Sequence, residues 1–182
     1  MKTYTQFITE NEELNEKEKY EYGCAMLYLA APEIGKIQES IDKEDLQGKG
    51  LEDESHVTLL YGLHSDEIAD EDVMKICCEP IYPQVRLHNV SLFENPEFDV
   101  LKFDAESPML TEVNRKLVKL PHTSNFPDYH PHATIAYLKP GTGKKYVKAF
   151  TGQSFVVNPT DIVYSKPDGS KVIEKAKIEE TK

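Results

Sequence analysis

The chain has 182 residues, 39% apolar and 29% charged, with 21 Lys and Arg against 32 Asp and Glu, a net charge of −11 and no Trp. That length predicts one domain with a buried core, and no apolar run reaches the roughly 18–20 residues that a membrane span needs, nor does the N-terminus read as a secretory signal. The excess of acid argues against coating long nucleic acid, since phosphate backbones reward Lys and Arg, but it leaves room for a small phosphorylated substrate.

Residues 1–21 carry six acids and three Lys and read as a polar extension ahead of a folded domain over 22–182. From Gly23 the run GCAMLYLAA predicts a strand covered on both faces. Pro32 then opens a helix with Ile34, Ile37 and Ile41 near one-turn spacing. An acidic, Gly-containing loop over 47–54 precedes a short strand, 56–61. Residues 66–79 read as a helix with Ile68, Val73, Ile76 and Cys77 inward. Strands over 84–93 and 98–105 follow, joined at the turn dipeptide Asn95-Pro96. Ser107 and Pro108 start a helix carrying Leu110, Val113, Leu117 and Leu120. A loop over 121–131 leads to a strand, 132–138, a short basic helix or turn around 143–150, and strands near 154–157, 161–165 and 171–177. Short helices and strands alternating with hairpins predict an α+β fold, not a doubly wound sheet.

One internal echo carries chemistry. Residues 55–61 read SHVTLLY and residues 131–137 read PHATIAY. A strand period of two places His56 with Thr58 on one face, and His132 with Thr134, while Tyr61 and Tyr137 alternate away toward the core. Phosphodiester cleavage asks for a base, an acid and donors to the equatorial oxygens. Two histidines at opposite protonation states supply the first pair at neutral pH without metal, and two Thr hydroxyls the donors. Ordinary His values predict a bell-shaped pH profile between roughly 5.5 and 8. A third H-x-[ST], His122-Thr123-Ser124, has no strand pattern after it.

Elsewhere, His130 and His132 lack further ligands at metal spacing, so no metal and no cofactor is expected. Cys24, Cys77 and Cys78 form no C-x-x-C pair, which fits a reducing compartment. Lys139, Lys144, Lys145 and Lys148 fall within ten acid-free residues and predict a basic lip beside the second motif. Lys139, Lys144, Lys145, His122 and Tyr137 are therefore the candidate substrate contacts.

The doubled motif resembles the 2H phosphoesterase superfamily, which includes 2′-5′ RNA ligase-like proteins and cyclic phosphodiesterases; the resemblance covers roughly residues 22–165. It implies a bilobal, pseudo-symmetric fold, two antiparallel sheets lining a central cleft with helices outside. It also implies that His56 and His132 form the acid–base pair and Thr58 and Thr134 bind phosphate. The segment YHPHATIAYLKPG is similar to phage-encoded members. MKTYTQFITE in turn resembles the capsid-targeting leader of internal head proteins of large tailed phages. That implies cleavage after Ile8-Thr9-Glu10, transient contact with capsid or head protease, and residence in the virion and then the host cytoplasm. The expected function is metal-independent cleavage of a small cyclic or 2′-5′/3′-5′-linked nucleotide, in a phage an anti-defence activity against host cyclic nucleotide signals. The alternative is a non-catalytic, nucleotide- or DNA-binding protein of the virion interior.

Overall fold

The computed structural model describes residues 21–124 and 126–179; the leader and its cleavage sequence lie outside the described residues. Strand β1 (Gly23–Ala30) runs into helix α1 (Pro32–Glu39), followed by β2 (Leu46–Leu51) and β3 (His56–Leu63). Helix α2 (Asp70–Cys78) and the short β4 (Ile81–Tyr82) precede a hairpin of β5 (Val85–Glu94) and β6 (Asp99–Glu106). Then come α3 (Pro108–Leu117), β7 (His132–Leu138), α4 (Gly143–Phe150), β8 (Phe155–Ser165), β9 (Lys171–Lys175) and β10 (Lys177–Ile178). The fold is mixed, with the helices subordinate to one large antiparallel sheet.

That sheet has the order β1-β3-β7-β6-β5-β8-β9, and β8 also pairs with β1, so six strands close on themselves like a barrel. The two expected sheets are thus joined into one. The joint between β3 and β7 is a single antiparallel pair, Val57 with Ala133. At the other joint β8 changes partner: residues 155–157 pair with β5 and residues 158–165 with β1. The two strands expected there are one, and Pro159, which lacks an N–H, sits where that strand leaves β5 for β1.

One face of the sheet packs on the helices. Leu27, Val57, Leu59, Phe103 and Ile135 are fully buried with Ile34 of α1, Val73 and Cys77 of α2, and Leu110, Val113 and Leu117 of α3. Each such side chain contributes roughly 1.5–3 kcal/mol by leaving water. β1 is not covered equally on both faces: Ala25, Leu27 and Leu29 are buried, whereas Cys24, Met26 and Tyr28 are half-buried on the face that carries the histidines.

Three other expectations shift. The helix expected over 66–79 starts at Asp70, because Ala69 is extended (φ −70, ψ 139) and the Glu67 N–H turns back to the His64 carbonyl. The loop over 47–54 contains strand β2, whose Gly48 and Gly50 sit at φ 57 and 70 and so hide the strand period. Ser107 occupies the N-cap of α3, but its hydroxyl makes no cap hydrogen bond.

Candidate active site

The Val57–Ala133 pair sets the geometry. Both side chains are fully buried, so the flanking residues of each strand project to the opposite face. In an antiparallel register centred on that pair, His56 lies level with Thr134 and Thr58 with His132. Two histidines and two threonines from strands 76 residues apart in sequence therefore share one face. Both imidazoles are held alike: His56 Nδ1 lies 2.9 Å from the Glu54 carbonyl and His132 Nδ1 2.8 Å from the His130 carbonyl. A carbonyl only accepts, so in both neutral rings the proton sits on Nδ1 and Nε2 carries the lone pair.

Each motif strand also contains a bulge, and at the same place. On β1 the consecutive residues Ala25 and Met26 pair with Leu60 and Thr58, leaving Leu59 without a partner across the ladder. On β6 the consecutive residues Leu101 and Lys102 pair with Ala136 and Thr134, leaving Ile135 so. A one-residue bulge reverses the alternation beyond it. Tyr61 pairs with Cys24 and Tyr137 with Val100, neighbours on the histidine face. The expectation that both tyrosines turn to the main core is therefore corrected. Tyr137 packs with Phe98, Val100 and Phe93 in a small apolar cluster separate from the main core. Its ring is buried there.

The surroundings of the two histidines differ. His56 lies against Tyr28, ring centroids 5.7 Å apart, with Met26 and Cys24 further along β1. Burial, reinforced by Glu54, pushes the Tyr28 hydroxyl up to about 12. His132 meets the ring of Phe93 edge-on at 5.0 Å. Lys102, nearly buried and opposite Thr134 across the ladder, sets its ammonium 4.7 Å from the same ring and 2.5 Å from Asp104. Burial would raise the Asp104 carboxyl, but hydrogen bonds from Lys102 and Asn89 outweigh it and hold it below the usual range. Asn89 reaches Asp104 at 2.6 Å from a left-handed backbone (φ 52) at a bulge in β5. Burial pushes the His132 imidazolium down from 6.5 to about 4; the positive charges of Lys102 and His56 push the same way, against the His130 carbonyl and Asp104. At neutral pH His132 is an unprotonated imidazole.

Lys102, Asp104, Phe93 and Tyr28 escaped the sequence reading. A signal was available: β6 reads DVLKFDAE, with Lys102 and Asp104 alternating against apolar neighbours 76 residues after Met26 and Tyr28.

The other candidates lie elsewhere. His122 bridges Leu63 at the far end of β3, roughly 20 Å along the strand from His56, and its Nδ1 is bonded to the Leu120 carbonyl. Lys139 follows β7 a similar distance from His132. Lys144 pairs with Glu94 at 3.2 Å and Lys145 with Asp45 at 2.6 Å, so the expected basic lip is met by local acid. His64 bonds Glu67 and Thr123, and His88 lies 3.7 Å from Glu106. Burial pushes the Cys24 thiol up to about 12, so it stays protonated. Among the described residues no three His, Cys, Asp or Glu side chains converge to hold a metal ion, and no helix is long and apolar enough to cross a membrane.

No model of a known protein family matches the chain, and no curated protein matches it. Among solved structures, a phosphoesterase is 15% identical, covers 85% of this chain and 94% of its own, and superposes with a TM-score of 0.47. E. coli LigT complexed with phosphate is 13% identical over 85% of this chain and 93% of its own, with a TM-score of 0.45. E. coli LigT in apo form is 16% identical over 87% and 98%, with a TM-score of 0.49. At that distance they are likenesses in outline, and the chemistry rests on the residues described above.

Proposed function

We propose that the protein is a 2H-type phosphodiesterase that cleaves a phosphodiester in a small cyclic or 2′-5′/3′-5′-linked nucleotide, without a metal, by two-histidine acid–base catalysis. The observation that carries this reading is the pairing of Val57 with Ala133, which turns both H-x-T motifs onto one face with both imidazoles in the same tautomer. The 76-residue offset and the matching bulges favour a pseudo-twofold axis through that pair.

In this reading neutral His132 is the base. Its Nε2 takes the proton from the attacking hydroxyl, whether water or a ribose 2′-hydroxyl. The new oxygen–phosphorus bond forms, the bond to the leaving oxygen breaks, and protonated His56 gives that oxygen its proton. Thr58 and Thr134 donate to the non-bridging oxygens, and Lys102 adds positive charge on the Thr134 side, in a partly buried setting where charge counts for more. The half-buried rings of Tyr28 and Phe93 offer surface for a base or sugar. The assignment moves the acidic limb of the pH profile from 5.5 down to about 4, because the base is His132. The charge of −11 favours small substrates over long polynucleotides.

Incubation in EDTA with 2′,3′-cyclic nucleotides, cyclic oligonucleotides and 2′-5′-linked oligomers, followed by chromatography, tests the reading. Turnover of at least one class is expected. Turnover of none, or only with added divalent metal, would overturn it. Binding without turnover, unchanged in His56→Ala and His132→Ala, would favour sequestration instead. The anti-defence role and packaging in the virion are part of the proposal and rest on resemblances in the sequence. Mass spectrometry of particles finding a chain that starts at Asn11 would support the leader; finding Met1 attached would remove it.

A further inference from the structure

Both bulges are held by a side-chain amide, and the two holders occupy equivalent positions. In α3, Asn114 Nδ2 donates to the Leu59 carbonyl at 2.7 Å. In α1, Gln38 Nε2 donates to the Ile135 carbonyl at 2.9 Å, and to the Glu52 carbonyl at 2.8 Å. Each helix opens with Pro, Pro32 or Pro108, and each amide lies six residues later, so Gln38 and Asn114 are also 76 apart. The grip is crossed: α1, which follows β1, holds the bulge of β7, and α3, which follows β6, holds the bulge of β3. The Ile135 carbonyl has a second donor, the Glu52 N–H at 3.1 Å.

A bulge carries an extra residue whose carbonyl falls out of the ladder, and without a partner that group is costly to bury. Losing the bulge from between the threonine and the following tyrosine would restore strict alternation and send that tyrosine to the core. Fixing the carbonyl of the extra residue holds the bulge in place.

We propose that Gln38 and Asn114 are positioning residues: by holding the carbonyls of Ile135 and Leu59 they lock the two bulges that turn Tyr137 and Tyr61 onto the face shared by the H-x-T motifs. Neither touches the reacting groups. The link to catalysis rests on the proposed phosphodiesterase function; the lock on the tyrosines does not.

The test uses the full chain with labelled tyrosine rings and the variants Asn114→Asp, Asn114→Leu and Gln38→Leu. Val113→Ala, which loses a core methyl pair on the same helix, serves as a control of comparable destabilisation. Asn114→Leu is expected to shift the Tyr61 ring signal and leave that of Tyr137, and Gln38→Leu to do the reverse. Activity in Asn114→Leu should fall roughly tenfold to a hundredfold in kcat with little change in KM, as expected of a misplacement near 1 Å. Gln38→Leu should lose less, since Glu52 still holds its carbonyl. Asn114→Asp should recover as pH falls, because a protonated carboxyl again donates. Unmoved tyrosine signals, or losses no greater than in Val113→Ala, would overturn the proposal. If the wild-type protein turns over nothing, the proposed function fails, and the tyrosine signals still decide the lock.

Discussion

The two motif strands are alike in sequence, tautomer and bulge, yet the strands beside them are not. Next to His56, β1 presents Tyr28, Met26 and Cys24, none of which carries a charge at neutral pH. Next to His132, β6 presents Asp104, Lys102 and Val100 at the same three ladder positions. The difference teaches that a doubled motif does not make two equivalent surroundings. Burial, with the Lys102 ammonium pushing the same way, holds the His132 imidazole neutral, and in the proposed reaction that is what makes it the base.

The largest effect expected is the loss of either histidine. His56→Ala and His132→Ala should each lower kcat by roughly 10²–10⁴-fold, the range for a positioned acid or base; steady-state kinetics check it. If only one of them matters, the two sides do not work as a pair.

Replacing Lys102 by Met should lower kcat/KM by roughly ten- to a hundredfold, as for loss of a charge-stabilising donor. It should also raise the acidic limb of the profile, because the ammonium helps hold His132 neutral. A pH–rate series on the variant measures both. An unmoved limb would mean the asymmetry between β1 and β6 has no catalytic consequence.

His132 also links stability to pH. Its folded-state value, about 4, lies below the ordinary 6.5, so the unfolded chain binds this proton more readily. The contribution is fully present above about 6.5 and is lost as pH falls toward 4, amounting to roughly 2–3 kcal/mol. Denaturant titrations at several pH values should show the loss in the wild-type protein and not in His132→Ala.

The smallest effect concerns the basic segment. Lys144→Ala and Lys145→Ala should change kcat/KM less than about twofold at physiological salt, because these exposed lysines are already paired with Glu94 and Asp45 and salt screens what charge remains. A larger loss would extend the substrate path along β7 and α4.

The H-x-T strands and the α+β class were legible because a His, a Thr and their spacing survive any packing detail. So were α1 and α3, whose Pro32 and Pro108 starts and isoleucine or leucine spacing match the helices found. The bulges were not. Leu59 and Ile135 are ordinary strand residues, and it takes the pairing to β1 and β6 to show that each is one too many; strict alternation therefore sent both tyrosines to the wrong side. Lys102 was hidden for a related reason, since its meaning comes from the ring of Phe93 and the carboxyl of Asp104, both set by folding. The partners of Lys144 and Lys145 were not legible either, because local charge in a sequence says nothing of the acids, Glu94 and Asp45, that the fold brings to meet it.

The claim that the two sides are unequal is tested most directly by following the imidazole Cε1 protons of His56 and His132 by NMR as pH is lowered, in the wild-type protein and in Lys102→Met. The account predicts that His132 stays neutral down to about pH 4 and titrates higher once Lys102 is gone. A His132 that titrates near 6.5 in the wild-type protein, unmoved by the substitution, would contradict it.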